Sequence, residues 1–400
     1  MTRLSLAMIV RDEEDGLQAC LESVIGFVDE MVVVDTGSRD GTVAIAERCG
    51  ARVHHLSWPG DFAPARNHSL ELAEGEWVLV LDADEQLLPE ARAPLQALMA
   101  DPDALLITLL RLEEGAAQSP YSSVSRLFRR HPAIRWSGAH HAMVDDSVAA
   151  LISREPHWRV LQCPTPALRH GGYRAEKLAD GRKARRLREA MQAELRQRPA
   201  DPYACAKLAG LELSEGRSRR ALALLRRGLA ACPPTATAER YELLLHLGLA
   251  LADSDPPQAR RHYRDALALP LDPRLQLGAL LNLAALELRH GSAAEALQLA
   301  RQVTTTAPDL ALGWYNLGLI QRQRGALAEA IAAYQRAIAL APDHAATHQN
   351  LAAASLLAGD IAAARQGFRR AIALLRAQGQ TSEADNLAAR AGTMVRLDTP

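Results

Sequence analysis

Up to residue 85 the chain alternates between short apolar runs and mixed stretches. Leu4–Val10, Met31–Asp35, Arg52–Leu56 and Trp77–Leu81 read as strands. Glu13–Ile25, Asp40–Cys49 and Pro64–Ala73 read as the helices between them, the second capped by Ser38 or Asp40. The strands are continuous and apolar, as parallel strands covered on both faces are. A β-α-β order of this kind implies right-handed crossovers and a ligand crevice at the carboxyl ends of the strands. Asp12, Asp35 and Asp82 all fall at such ends. From about 103 to 170 the predicted strands are Ala104–Leu112, Val124–Phe128 and Arg159–Leu161, among loops rich in His, Pro and Trp.

After Tyr173 the pattern changes. Asp180 to Arg198 is one basic helical run, which reads as a connecting helix. The remainder repeats. Three 34-residue blocks start at 277, 311 and 345 without gaps. Trp314, Leu317, Gly318, Gly325, Ala330, Tyr334, Ala337 and Pro342 fall in register in the middle block, and Leu351, Ala352, Gly359, Ala364, Phe368 and Ala371 do in the next. The preceding block carries Leu283, Ala284, Gly291, Ala296 and Pro308 in the same register. A further block starts near 202 and a shortened one lies near 240–272. The spacing matches tetratricopeptide repeats, helix pairs that bury their apolar faces only against neighbours and so form a solenoid. The expected organisation is an α/β domain over 1–175, a basic linker helix over 176–200, a solenoid of about five repeats over 201–380, and a capping helix with a tail over 381–400.

Length and composition narrow the classes. Four hundred residues exceed one ordinary core. The balance of 46 basic against 47 acidic residues gives no bulk field for nucleic acid. Five scattered cysteines without a C-x-x-C indicate neither a disulfide framework nor a zinc site and suit a reducing cytoplasm. The apolar start, Leu4 to Val10, is too short for a signal peptide, and no run is long enough for a membrane span. A cytoplasmic protein with no integral membrane segment is expected.

Asp82-Ala83-Asp84, directly after the apolar run 77–81, is the most informative chemistry. It places two carboxylates at a strand end, facing the same way. Such a pair is costly unless a cation or polar ligand compensates it. A divalent metal carrying a diphosphate is the usual reason to build one. Gly37 and Gly41 read as turn residues, and no glycine-rich phosphate loop is present.

Several further motifs join this pair: Met8-Ile9-Val10-Arg11-Asp12-Glu13-Glu14, Val34-Asp35-Thr36-Gly37-Ser38-Arg39-Asp40-Gly41-Thr42, Ala65-Arg66-Asn67, Arg126-Leu127-Phe128, Gly138-Ala139-His140-His141 and His170-Gly171-Gly172-Tyr173. Together with Leu81-Asp82-Ala83-Asp84-Glu85 they resemble the inverting family 2 glycosyltransferases of the GT-A fold, in particular those with C-terminal tetratricopeptide repeats. The resemblance implies a nucleotide-diphospho-sugar donor and a Mn²⁺ or Mg²⁺ ion. It implies that Asp35 meets the base or ribose, Arg66 stands beside the base, Asp82 meets the ribose side, and Asp84 and His170 hold the metal. Two positions depart from the family pattern. Asp12 stands where Asn is usual, and His141-Ala142 where His-Glu is usual. With that Glu missing, His141 and Asp145 (or Asp146) are the candidate bases.

Plainer readings exist for each residue. Asp35 also suits the cap of the turn at 36–38, Arg66 a solvated helix charge, and His140, His141 and His170 polar surface positions. In the repeats, Asn282, Asn316 and Asn350 recur every 34 residues and should line one surface, with Lys207 at the equivalent place in the first block. This resembles the asparagine ladder of a protein-glycosylating transferase and implies a polypeptide partner; the plain alternative is local packing. The basic run from Arg182 to Arg198 is a solvated face or, more sharply, a peripheral membrane contact. The acceptor is then a polypeptide or a cell-envelope saccharide or lipid carrier. The competing class is a catalytically impaired repeat scaffold that binds a protein partner, which Ala142 keeps open; a nucleotidyltransferase is disfavoured by the missing glycine-rich loop.

Overall fold

The apolar runs of the first half form strands close to their predicted bounds. The structure is a computed structural model that describes residues 3–116, 120–138, 142–171 and 182–397. It divides into two units, residues 1–183 and 184–400. The first contains β1 (Leu4–Val10), α1 (Leu17–Val24), β2 (Glu30–Asp35), α2 (Thr42–Arg48), β3 (Arg52–His55), α3 (Phe62–Leu72), β4 (Trp77–Val80), β5 (Glu85–Leu87), α4 (Arg92–Met99), β6 (Ala104–Glu113), β7 (Tyr121–Arg129), α5 (Asp145–Arg154) and β8 (Arg159–His170). One eight-stranded sheet runs β3-β2-β1-β4-β7-β6-β8-β5. β1 pairs in parallel with β2 and β4, and β2 with β3. β7 enters antiparallel between β4 and β6, so the sheet is mixed.

Period two sorts the strand residues to two cores. Leu6, Met8, Leu79 and Leu81 pack on one face with Leu17 and Leu21. Ala7, Val78, Val80 and Phe128 pack on the other with Val148 and Leu151. Both faces are covered, which is why these strands carry no polar alternation.

Two elements differ from expectation for identifiable reasons. α1 starts at Leu17, not Glu13, because the Glu13 N–H donates to Thr42 Oγ1 (2.8 Å) and the Glu14 N–H to Asp40 (3.2 Å). Those donors tie the β1–α1 loop to the β2–α2 loop before the helix begins. β8 extends nine residues past Leu161, through Pro164 and Pro166, because shifts in its register with β6 accommodate the prolines. That extension carries His170 to the sheet's carboxyl edge.

The second unit opens with the helix Arg182–Gln197, whose Met191 packs on Ala204 and Leu208. Five helix pairs follow: 202–214 with 218–231, 237–251 with 256–267, 277–290 with 293–306, 311–323 with 327–340, and 345–357 with 361–377. Leu277, Ala311 and Ala345 open their helices at the residues where the predicted blocks start. Gly318 lies so close to the Tyr334 ring that a Cβ there would stand 2.5 Å from it. The small residue is what lets the paired helices meet. The helix Thr381–Gly392 buries Ala384, Leu387 and Ala391 and turns a polar face outward, which ends the array. No helix among the described residues is long and apolar enough to cross a membrane.

Packing also sets a pH dependence here. Burial between helices holds the imidazoles of His246 and His262 below the ordinary histidine value. Both are neutral in the fold and bind protons more readily once unfolded. Stability is therefore complete above the unfolded value of about 6.5 and falls as pH drops below it. Circular dichroism melts should show a falling Tm between about pH 7.5 and about pH 5, with a shallower fall in His246→Gln. Identical slopes in the two proteins would contradict this.

Candidate functional site

The strands' carboxyl ends gather the polar residues. Asp35, the last residue of β2, is 4% exposed. It accepts hydrogen bonds from the Gly37 and Ser38 N–H groups, each 3.1 Å, and His55 Nδ1 on β3 lies 3.4 Å away. Burial alone would raise its carboxyl, but these bonds prevail and hold it below the usual carboxylate range. Asp12, just past β1, has a φ of 53°, a left-handed conformation that Asp and Asn tolerate best. Its carboxylate accepts the Arg39 N–H at 2.8 Å, and its own N–H donates to Ser38 Oγ at 3.0 Å. The first two loops are thus locked together. Gly16 lets α1 approach the next loop, since a Cβ there would stand 2.8 Å from the Ala83 carbonyl oxygen.

Asp82 and Asp84 do not face the same way, contrary to the sequence expectation. β4 ends at Val80, so the alternation of a strand no longer governs these residues, and each turns to its own partners. Asp82 accepts from Arg66 Nη2 on α3 and from Arg126 Nη2 on β7, each at 2.6 Å. Burial works against its charge, but the two guanidinium groups hold the carboxyl far below the usual range. Arg126 reaches it through a bulge: Leu127 pairs with Ile107 and Ser125 with Thr108, which leaves Arg126 as the extra residue on β7. Arg66 stacks over the Trp136 ring, 4.7 Å from its centroid. Asn67 fixes that tryptophan, giving a bond to the Trp136 carbonyl (3.0 Å) and accepting its N–H (2.9 Å). This explains the Ala65-Arg66-Asn67 motif. Arg66 Nη1 and Arg126 Nη1 are buried and meet no acceptor among the described residues.

Asp84 turns to β8. Its Oδ2 lies 3.2 Å from His170 Nε2, and the Gly171 N–H donates to its carbonyl at 3.1 Å. His170 Nδ1 lies 2.5 Å from Glu113 Oε2 at the end of β6. Glu113 is held by Ser122 and by Arg111 at 2.8 Å, and Arg111 reaches Glu85 at 2.5 Å. Burial would lower the His170 value, but the bonds to Asp84 and Glu113 push it up to about 9. At neutral pH both ring nitrogens therefore carry protons, Nδ1–H facing Glu113 and Nε2–H facing Asp84; a divalent ion held there would displace the Nε2 proton while Glu113 keeps the one on Nδ1. Metal-binding histidines are oriented by a carboxylate in this way. One carboxylate and one imidazole, backed by a second carboxylate, therefore fit a divalent ion. No group of three or more His, Cys, Asp or Glu poised for an ion occurs among the described residues, so the two donors suit a metal that shares its shell with phosphate oxygens and water.

The other predicted residues fall as follows. Asp145 opens α5, accepts from Ser125 Oγ at 2.8 Å, and is exposed, with its carboxyl pushed up by partial desolvation. His141, with His140, lies outside the described residues. Asn282, Asn316 and Asn350 are half-buried at one position of successive first helices. Asn282 donates to the Gly278 carbonyl (2.7 Å); Asn350 donates to the Ala346 carbonyl (2.9 Å) and to the Tyr315 hydroxyl (3.2 Å). Lys207 at the same place pairs with Glu242 at 2.7 Å. Sequence reasoning missed Glu85, Arg111, Glu113 and Arg126 as site residues. The signal for two of them was present: Arg111 and Glu113 are opposite charges two apart in an otherwise apolar strand. A cleft of about 250 Å³ lined by Leu70, Phe128, Arg130 and Ile134 lies near the amino end of β4, where Arg130 bonds Glu76, and contains none of these groups.

Comparison with known proteins adds the following. The family model described as glycosyl transferase family 2 matches residues 5–161, and that of the tetratricopeptide repeat matches 311–344. A tetratricopeptide-repeat-containing protein of Synechococcus elongatus is 45% identical over 309 residues, covering 77% of this chain and 76% of that one. An uncharacterized glycosyltransferase of Rickettsia felis is 30% identical over 139 residues, 32% of this chain and 49% of the relative. The glycosyltransferase SunS of Bacillus subtilis is 28% identical over 144 residues, 34% of each chain. The match thus spans half or less of the last two proteins.

Proposed function

The chain belongs to the family 2 glycosyltransferases with C-terminal tetratricopeptide repeats, and from that premise we propose that it moves a hexosyl or related sugar, with inversion, from a nucleotide-diphospho-sugar to an acceptor recruited by the repeats. The observation that carries the reading is the Asp84–His170 pair backed by Glu113, beside a second carboxylate that clamps two arginines. Asp35 suits a ribose or base, since its fixed carboxylate sits at a neighbouring strand end. Arg66, held by Asp82 and stacked on Trp136, would stand beside the base. Asp84 and His170 would hold a Mn²⁺ or Mg²⁺ ion, which supplies charge stabilisation for the departing nucleotide. Asp145, exposed at the start of α5, is the described candidate for taking the acceptor's proton; His141 is the other. Melting the protein against a panel of sugar nucleotides with Mn²⁺ tests the reading, because a ligand that binds only the folded state raises its Tm. No stabilisation by any donor would refute it.

Glu113 positions His170 rather than touching substrate. Glu113→Gln should weaken Mn²⁺ affinity by about 10–100-fold, read by calorimetry in the presence of a nucleoside diphosphate. An unchanged affinity removes the positioning role.

For the acceptor, the reading is a polypeptide along Asn282, Asn316 and Asn350, where side-chain amides can pair with an extended backbone. The triple Asn→Ala variant should bind a peptide acceptor more weakly while donor hydrolysis is unchanged. A saccharide or lipid carrier is the other acceptor class. One observation favours a different reading: Ala142 stands where the family has Glu. A protein that binds a partner through its repeats yet turns over no donor would be the impaired scaffold.

A further inference from the structure

The second unit carries a strongly segregated charge. Residues 182–231 contain thirteen basic and five acidic side chains, in a chain with 46 and 47 overall. The helix 218–231, Ser-Arg-Arg-Ala-Leu-Ala-Leu-Leu-Arg-Arg-Gly-Leu-Ala-Ala, holds four arginines and no acid. Arg219, Arg220, Arg226 and Arg227 are all exposed. Arg219 and Arg226 are seven residues apart, as are Arg220 and Arg227, so each pair recurs about 10 Å along the same face. Leu224 of this helix packs into the cluster formed by Leu187, Met191 and Leu195 of the helix 182–197, so the two basic helices are neighbours. Arg185 and Arg196 on that helix are exposed as well.

Other arginines have carboxylate partners: Arg188, on the helix 182–197 itself, pairs with Glu212 and Glu215, and Arg260 with Glu287. Arg185, Arg196, Arg219, Arg220 and Arg226 have none among the described residues. Like charges this dense repel one another, and the helix gains nothing in stability from them.

We propose that this two-helix face docks on a membrane surface of anionic phospholipid. Several exposed arginines on adjoining helices suit a sheet of phosphate headgroups, each contributing attraction that salt screens. A single-stranded nucleic acid is the poorer fit, because none of the exposed residues of the helix 218–231 is aromatic and its bases would find no platform on which to stack. The contact is peripheral and electrostatic. It does not depend on the transferase reading, since none of these residues belongs to the site in the first unit. If that reading holds, the docking would bring the enzyme to lipid-linked substrates.

The test is co-sedimentation of the full chain with vesicles of phosphatidylglycerol and phosphatidylcholine, against vesicles of phosphatidylcholine alone. Binding should occur only to the anionic vesicles and fall at least tenfold between low and high salt. Arg219→Gln, Arg220→Gln and Arg226→Gln combined should lower binding at least tenfold with an unchanged Tm, whereas Arg324→Gln with Arg336→Gln, on a distant pair of helices, should not. Equal binding to both vesicle types, or full binding by the triple variant, would overturn the proposal. So would binding to a DNA or RNA oligonucleotide without binding to vesicles.

Discussion

Asp84→Ala lowers sugar transfer by about 10³-fold and barely changes stability. The carboxylate lies 3.2 Å from His170 Nε2 and is itself partly exposed. On the proposed reading a bound ion would stabilise the charge on the leaving diphosphate by several kcal/mol, and about 4 kcal/mol corresponds to about three powers of ten in rate. The structural loss is smaller than the loss of activity, because Asp84 is 27% exposed and the largely buried His170 keeps its bond to Glu113. Initial rates with a donor identified by thermal shift, measured beside the Tm, check the prediction. A variant that retains full activity removes the metal role.

Asp82→Asn gives the opposite profile in stability. Arg66 and Arg126 are nearly buried, with side chains 10% and 12% exposed, and both bond this carboxylate, the next nearest being Glu85, 3.8 Å from Arg126. Without its charge, two guanidinium groups repel each other in a desolvated place. Removing one member of a buried ion pair costs about 3–5 kcal/mol. Asp82 is 38% exposed, so water offsets part of this and about 2–4 kcal/mol is expected. Activity falls as well, because Arg66 loses its anchor. The chain has two units, so a single transition is not assured. Tryptophan fluorescence separates them: Trp58, Trp77, Trp136 and Trp158 lie in the first unit and Trp314 in the second. Urea unfolding followed by fluorescence should shift to a lower midpoint in Asp82→Asn. An unchanged midpoint would mean that the arginines do not need the carboxylate.

The contrast between these two acids shows where the sequence was legible and where it was not. The 34-residue period is local and repeated, so it located the first helices of three blocks at Leu277, Ala311 and Ala345. The buried strands were legible because a sheet covered on both faces leaves continuous apolar runs. The site residues were found as members of motifs, but their partners were not. Asp82 and Asp84 looked like one pair, because a strand period was extended past Val80, where the strand stops. The partners of Asp82 come from α3 and from a bulge in β7, and Asp84 meets His170 on β8, a strand lengthened across two prolines, with Glu113 of β6 behind it. Register shifts and bulges of this kind depend on tertiary pairing and leave little trace in local pattern. Glu113 is the plainest instance: it orients His170 from 57 residues away.

The most direct measurement is calorimetric titration of nucleoside diphosphates into the full chain, with Mn²⁺ and with EDTA, in the wild type and in Asp84→Ala and His170→Ala. Binding that requires the metal in the wild type and disappears in both variants is the predicted result. Equal affinity in EDTA, or undiminished metal-dependent binding in the two variants, would contradict the assignment of Asp84 and His170 as the residues that hold the cation.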